Sequence, residues 1–117
     1  MNTAAGNANA ILGSKNIAAG TFNDIIGNNN AAIGNANTLF GNANQVFQDN
    51  NAVIGNVNTV NGNANSLYGS YNNVAGNVNQ VAGSANKVLG SANTLQTSGS
   101  QVKGNLNTVY NGINKCD

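Results

Sequence analysis

Few side chains in this sequence can act as acid, base or nucleophile. It has no His, no Glu and no Arg, and its charges are Lys15, Lys87, Lys103 and Lys115 against Asp24, Asp49 and Asp117. Without His and Glu the usual general acid–base pairs are missing. Cys116 is the single cysteine. It has no His to make a nucleophilic dyad or a zinc site and no second Cys for an intrachain disulfide. The three Asp are too scattered for a calcium loop, and no Gly-Lys-Ser/Thr follows the glycines to form a phosphate loop. The chain therefore reads as a non-enzyme, with no cofactor and no metal. A formal charge of +1 on 117 residues, without clustered cations, argues against capture of nucleic acid or an anionic membrane. What recurs is Asn, Thr, Ser and Ala, side chains that bond backbone, order water, or do neither.

Their spacing shows what must position them. From Gly6 to Asp117 the chain divides without gaps into sixteen units of seven, with residues 1–5 as a lead-in. Position one is Gly except at Gln48, Thr97 and Asn111. Position four is Asn throughout, Asn9 to Asn114, broken only by Ser100. Position six is always uncharged and almost always aliphatic, from Ile11 to Val109 and Cys116. Cys116 thus falls at an inward position and reads as a small buried hydrophobe.

A seven-residue period first suggests a coiled coil, but that needs two apolar positions per heptad and helix formers between them. Recurrent Gly and Asn weaken helices. Positions four, six and the next one are spaced by two, which places them on one side of a strand. Each unit reads as a short strand ended by a Gly-centred turn, with Asn or Ser after the Gly tolerating left-handed backbone. One such strand cannot bury its inner face, whereas stacked strands can.

Seven residues are too few to go round a closed coil, while fourteen give two strands and two turns. Position six carries that doubled period. Odd units hold Ile11, Ile25, Leu39, Val53, Leu67, Val81, Leu95 and Val109, and even units hold only Ala, Val and Cys116. A larger column facing a smaller one fills a thin core. The expectation is an all-β solenoid over residues 6–117, of about eight 14-residue coils and roughly 38 Å long at ~4.8 Å per coil. Inward Asn side chains would bond the Asn above and below. The structural ladder so defined includes Asn37, Asn44, Asn51, Asn58, Asn65, Asn72, Asn79, Asn86 and Asn93. The repeat defects at Gln48-Asp49, Thr97 to Ser100 and Asn111-Gly112 are expected to be tolerated turn variants, with local irregularity expected over 97–103.

Started at position two, the unit reads x-x-Asn-x-Val-x-Gly. NVNTVNG (56–62), SYNNVAG (70–76) and NVNQVAG (77–83) match in full, and NANTLFG (35–41) and NANSLYG (63–69) match with Leu. The chain resembles the grass ice-binding, or antifreeze, proteins known from ryegrass, over essentially everything after residue 5. The resemblance implies a left-handed parallel β-roll, a Val core, internal Asn ladders, one flat face that binds ice, and ordered water as the partner. That family's outward positions are rich in Thr and Ser, whereas here many are Ala or bulky and apolar. The head of trimeric autotransporter adhesins is a weaker likeness, because its Asn-Ser-Val-Ala-Ile-Gly signature is absent.

Positions three, five and seven are expected to point outward. The odd face carries one charge, Asp24, while Lys15, Lys87, Lys103, Lys115 and Asp117 fall to the even face. The odd face is thus the candidate for ice, through Ala36, Thr38, Ala52, Ala64, Ser66, Ala92, Thr94 and Thr108. Its position-seven column, Leu12, Ile26, Phe40, Ile54, Tyr68, Ala82, Gln96 and Tyr110, is mostly apolar. Exposed apolar stripes often mark interfaces. A structural or adhesive module that self-associates as a homodimer is therefore the rival expectation. No apolar run reaches membrane-spanning length. The opening MNTAAG lacks the parts of a signal peptide, so the chain reads as intracellular or as the mature, apoplastic form of a secreted protein.

Overall fold

Every unit with an inward aliphatic at position six forms a strand over positions five to seven. The computed structural model describes residues 1–110 and the backbone of Lys115–Cys116. The odd units build an eight-stranded sheet from Ala10–Ser14, Asp24–Asn28, Thr38–Asn42, Ala52–Ile54, Ser66–Tyr68, Gln80–Ala82, Thr94–Gln96 and Thr108–Tyr110. The lead-in and the even units build a nine-stranded sheet from Thr3–Ala5, Ile17–Ala19, Ala31–Ile33, Gln45–Phe47, Thr59–Asn61, Asn73–Ala75, Lys87–Leu89, Gln101–Lys103 and Lys115–Cys116. Each strand pairs in parallel with the strand fourteen residues away, residue over residue. The result is a β-solenoid measuring 40 × 19 × 13 Å, close to the length expected from the coil count. Among the described residues there is no helix.

The core is one residue deep from each side. Ile25, Leu39, Leu67 and Leu95 line it from the eight-stranded sheet, and Ala18, Ala32, Val46, Val60, Val74 and Val88 face them from the other, all buried. This is the large-against-small arrangement read from position six. Two columns of Asn flank the aliphatics and hold the coils together. Asn58 shows the pattern. Its backbone N–H donates to Asn44 Oδ1 at 3.0 Å, its Nδ2 donates to Asn44 Oδ1 at 3.1 Å and to the Gly69 carbonyl at 2.8 Å, and its Oδ1 accepts the Asn72 N–H at 3.0 Å. An apolar residue there would orphan several buried groups at about 1–3 kcal/mol each. The column is closed in this sense, since no buried side-chain nitrogen or oxygen among the described residues lacks a partner.

The lead-in belongs to this scheme. Asn2 stands seven residues before Asn9, accepts the Asn16 N–H at 3.0 Å and donates to the Gly13 carbonyl at 2.9 Å. Thr3–Ala5 is then the edge strand of the nine-stranded sheet.

The turns depart from the expectation. Left-handed backbone falls on positions one and three, not on position two. At Gly76 φ is +135°, and a Cβ there would lie 1.9 Å from the Gly90 carbonyl oxygen of the next coil. Position one is thus Gly because the coils approach too closely for a side chain. Position three holds φ near +60° in Ala, Asn, Lys, Phe, Tyr, Leu and even Val, as at Val57 and Val78. The expected irregularity at 97–103 stays in register. Gln101–Lys103 pairs with Lys87–Leu89, and the Ser100 N–H still reaches Asn86 Oδ1 at 3.0 Å. The defect at Asn111-Gly112 and the expected packing of the Asn114, Lys115, Cys116 and Asp117 side chains lie outside the described residues.

Candidate functional site

The residues singled out on the odd units divide into two groups. Thr38, Ala52, Ser66, Thr94 and Thr108 occupy position five of the eight-stranded sheet. The register places them in one straight row, Ala10, Asp24, Thr38, Ala52, Ser66, Gln80, Thr94, Thr108. Each follows a ladder Asn directly, and all but Thr108 have their backbone N–H pinned one coil on. The Thr38 N–H donates to the Asn51 carbonyl at 2.8 Å, Ser66 to Asn79 at 2.8 Å and Thr94 to Asn107 at 2.9 Å. Ala52, Ser66 and Thr108 are exposed, and Thr38 and Thr94 are half-buried. Like atoms in successive coils therefore recur at about 4.8 Å on a backbone that cannot shift without breaking the ladder beneath it.

Ala36, Ala64 and Ala92 do not share that row. They sit at position three with φ of 56°, 56° and 57°, in the turn before the strand. Simple alternation would have put positions three, five and seven on one face. The left-handed residue breaks the alternation and leaves these alanines on the corner ridge, beside Phe22, Val78 and Leu106. By the same geometry Lys15, at φ 59°, belongs to the opposite corner and not to the even face. Lys87 and Lys103 do lie in strands of the nine-stranded sheet, and Asp24 remains the one charge among positions five and seven of the eight-stranded sheet.

Position seven makes a second row on the candidate face. Leu12, Ile26, Ile54, Tyr68 and Tyr110 are exposed, Tyr68 to 68%, and Phe40 is half-buried among them. The row lies next to the corner leading to the even units, where Val57 and Tyr71 are also exposed.

Sequence reasoning missed one set of residues. Position two forms a further ladder on the outside of each corner. On one side Thr21 N–H donates to Asn35 Oδ1 at 2.9 Å, Asn35 to Asp49 at 2.7 Å, Asp49 to Asn63 at 2.9 Å and Asn63 to Asn77 at 2.8 Å. On the other, Asn28 donates to Asn42 Oδ1 at 3.0 Å, and Ser70 and Ser84 accept through Oγ further along. The signal was present, because position two is Asn, Ser, Thr or Asp in every unit up to Asn105. Its role is to accept backbone N–H groups at the corners. Asp49 is a member of this column, its carboxylate serving where other units use an amide oxygen.

Among the described residues, no group of three His, Cys, Asp or Glu lies together, and no helix is long and apolar enough to cross a membrane. No protein-family model and no curated protein matches the chain.

Proposed function

We propose that the protein binds ice by adsorption through the eight-stranded face. The observation that carries this reading is the in-register row Thr38, Ala52, Ser66, Thr94 and Thr108, each following an Asn of the inner ladder, interrupted only by the uncharged Gln80 and preceded by Asp24, the one charge of its column. Charged side chains hold their own mobile hydration shells and disturb an ordered water layer. Methyl groups with intervening hydroxyls leave water free to order over a level surface, and the hydroxyls bond into it. A rigid backbone repeating at about 4.8 Å presents these groups at a spacing close to the second-neighbour distance of ordered water. Each contact is weak. Adsorption comes from many acting together, with little conformational entropy left to lose.

Ice recrystallisation assays on lysine variants test the reading. Wild type inhibits crystal growth at micromolar concentration. Ser66→Lys and Thr94→Lys lose most of that activity, while Gln45→Lys, at the position of the nine-stranded sheet that Lys87 already occupies, keeps it. Ala64→Lys costs less than Ser66→Lys, because position three lies on the corner and tolerates Lys15 at the same backbone angle. Full activity in the Ser66 and Thr94 variants, or exclusion of wild type from growing ice, overturns the proposal.

A further inference from the structure

We infer that Asn61 is a site of spontaneous modification, where the folded chain deamidates through the backbone nitrogen of Gly62. Among the described residues Asn61 is the one Asn followed by Gly. A Gly nitrogen is the least hindered backbone nucleophile, because no Cβ shields it. The Gly62 amide gives its proton to hydroxide, and its nitrogen attacks Asn61 Cγ. That nitrogen–carbon bond forms as the Cγ–Nδ2 bond breaks, and the amide nitrogen leaves as ammonia after taking a proton from water. Water then opens the five-membered succinimide at either carbonyl, giving aspartate or isoaspartate.

The other Asn of this solenoid are mostly held by their side chains, as Asn58 is in the inner ladder. Asn61 is not. It stands at position seven, ends the strand Thr59–Asn61 and is exposed on the nine-stranded sheet. Its side chain has no hydrogen-bond partner among the described residues.

The nucleophile is also the most weakly held of its kind. From Gly20 to Gly104, the other position-one N–H groups outside the strands donate to the carbonyl fifteen residues earlier at 2.8–3.0 Å. Gly62 reaches the Phe47 carbonyl only at 3.3 Å, a weaker bond. The cause lies in the coil before. Phe47 precedes Gln48, which stands where most units have Gly and holds φ 81° against 108–143° for those glycines. That angle sets the tilt of the Phe47–Gln48 peptide and so the aim of its carbonyl. An extended Asn61 must rotate to bring Cγ onto the Gly62 nitrogen, and releasing this N–H is the local opening required.

Aspartate at position 61 adds a negative charge to the nine-stranded sheet and leaves the position-five row of the other sheet unaltered. Isoaspartate also routes the main chain through the former side chain and lengthens it. That strains the Gly76 N–H bond to the Asn61 carbonyl, at 2.9 Å, and the Asn51 Nδ2 bond to the Gly62 carbonyl, at 2.8 Å.

Incubation of the full chain in mildly alkaline buffer, read by intact mass and peptide mapping, tests this. An Asn111→Gln background removes the second Asn-Gly pair. The chain gains one mass unit per conversion, first at Asn61, and faster as pH rises. Asn61→Gln abolishes that early conversion. Gln48→Gly, which restores the repeat, slows it at least threefold. A free peptide of residues 57–66 gives the rate without the fold. A full chain that stays intact while the peptide converts overturns the assignment, as does first conversion at a ladder Asn. Equal rates in Gln48→Gly and its parent overturn the role given to Gln48.

Discussion

At the residue scale, the turn places two left-handed positions two residues apart, and they demand opposite things. Where position one is Gly, the carbonyl of the next coil fills the space where a Cβ would go, and Gln48, an exception, holds φ 81° against 108–143° for those glycines. Position three excludes nothing by contact but strains whatever L residue it holds. In the turn before Gln80, Gly76→Ala is expected to destabilise by about 3 kcal/mol or more, through collision with the Gly90 carbonyl and an unsuitable φ. Val78→Asn is expected to stabilise by about 1 kcal/mol. Val78 is exposed at φ 58°, so little packing is lost and a β-branched residue is relieved of left-handed backbone. Thermal unfolding followed by circular dichroism reads both, and equal signs for the two variants contradict this account of the turn.

At the element scale, strands, core and inner ladder were legible in the sequence because alternation along positions four to seven is ordinary β geometry. Leu39 and Asn37 could be placed from their spacing alone. The corner was not legible. Nothing in Ala36, Val57 or Tyr71 announces a left-handed angle, since these residue types usually avoid it. The strain is imposed by close stacking of the coils and by ladder bonds on either side. The structure thereby divides the sequence-predicted face, leaving Thr38, Ser66 and Thr94 in the row and Ala36, Ala64 and Ala92 on the ridge.

The element that repeats is the coil of fourteen, not the unit of seven, and deletions distinguish the two. Removing residues 57–70 joins matching positions and preserves which sheet receives Leu67-type and Val74-type side chains. Removing 57–63 exchanges the sheets for everything downstream, stacking Leu95 on the column of smaller residues and moving Lys87 to the other face. The seven-residue deletion, though longer in chain, is expected to denature at lower urea than the fourteen-residue deletion by about 2 kcal/mol of stability, from misfitted core volumes. The reverse order contradicts the two-column core.

At the scale of the whole molecule, each coil touches only its neighbours, so stability is distributed along the axis and lowest at the ends. Amide hydrogen exchange is expected to be slowest at Val53, Val60 and Leu67, in the middle coils, and progressively faster toward Ile11 at the N-terminal end, where the core residue is only partly covered. Uniform protection along the axis argues for a single cooperative block instead.

The direction of the ladder bonds has an electrical consequence. Inner Asn residues send their backbone N–H toward the preceding coil, as Asn58 does to Asn44, and one Nδ2 bond toward the following coil, as to Gly69. The position-two columns send their backbone N–H toward the following coil, as Asn28 does to Asn42. An α-helix adds its peptide dipoles head to tail and accumulates opposite partial charges at its tips. Here the ladder dipoles oppose one another, so lengthening the rod by another turn builds up no comparable polarity between its two tips.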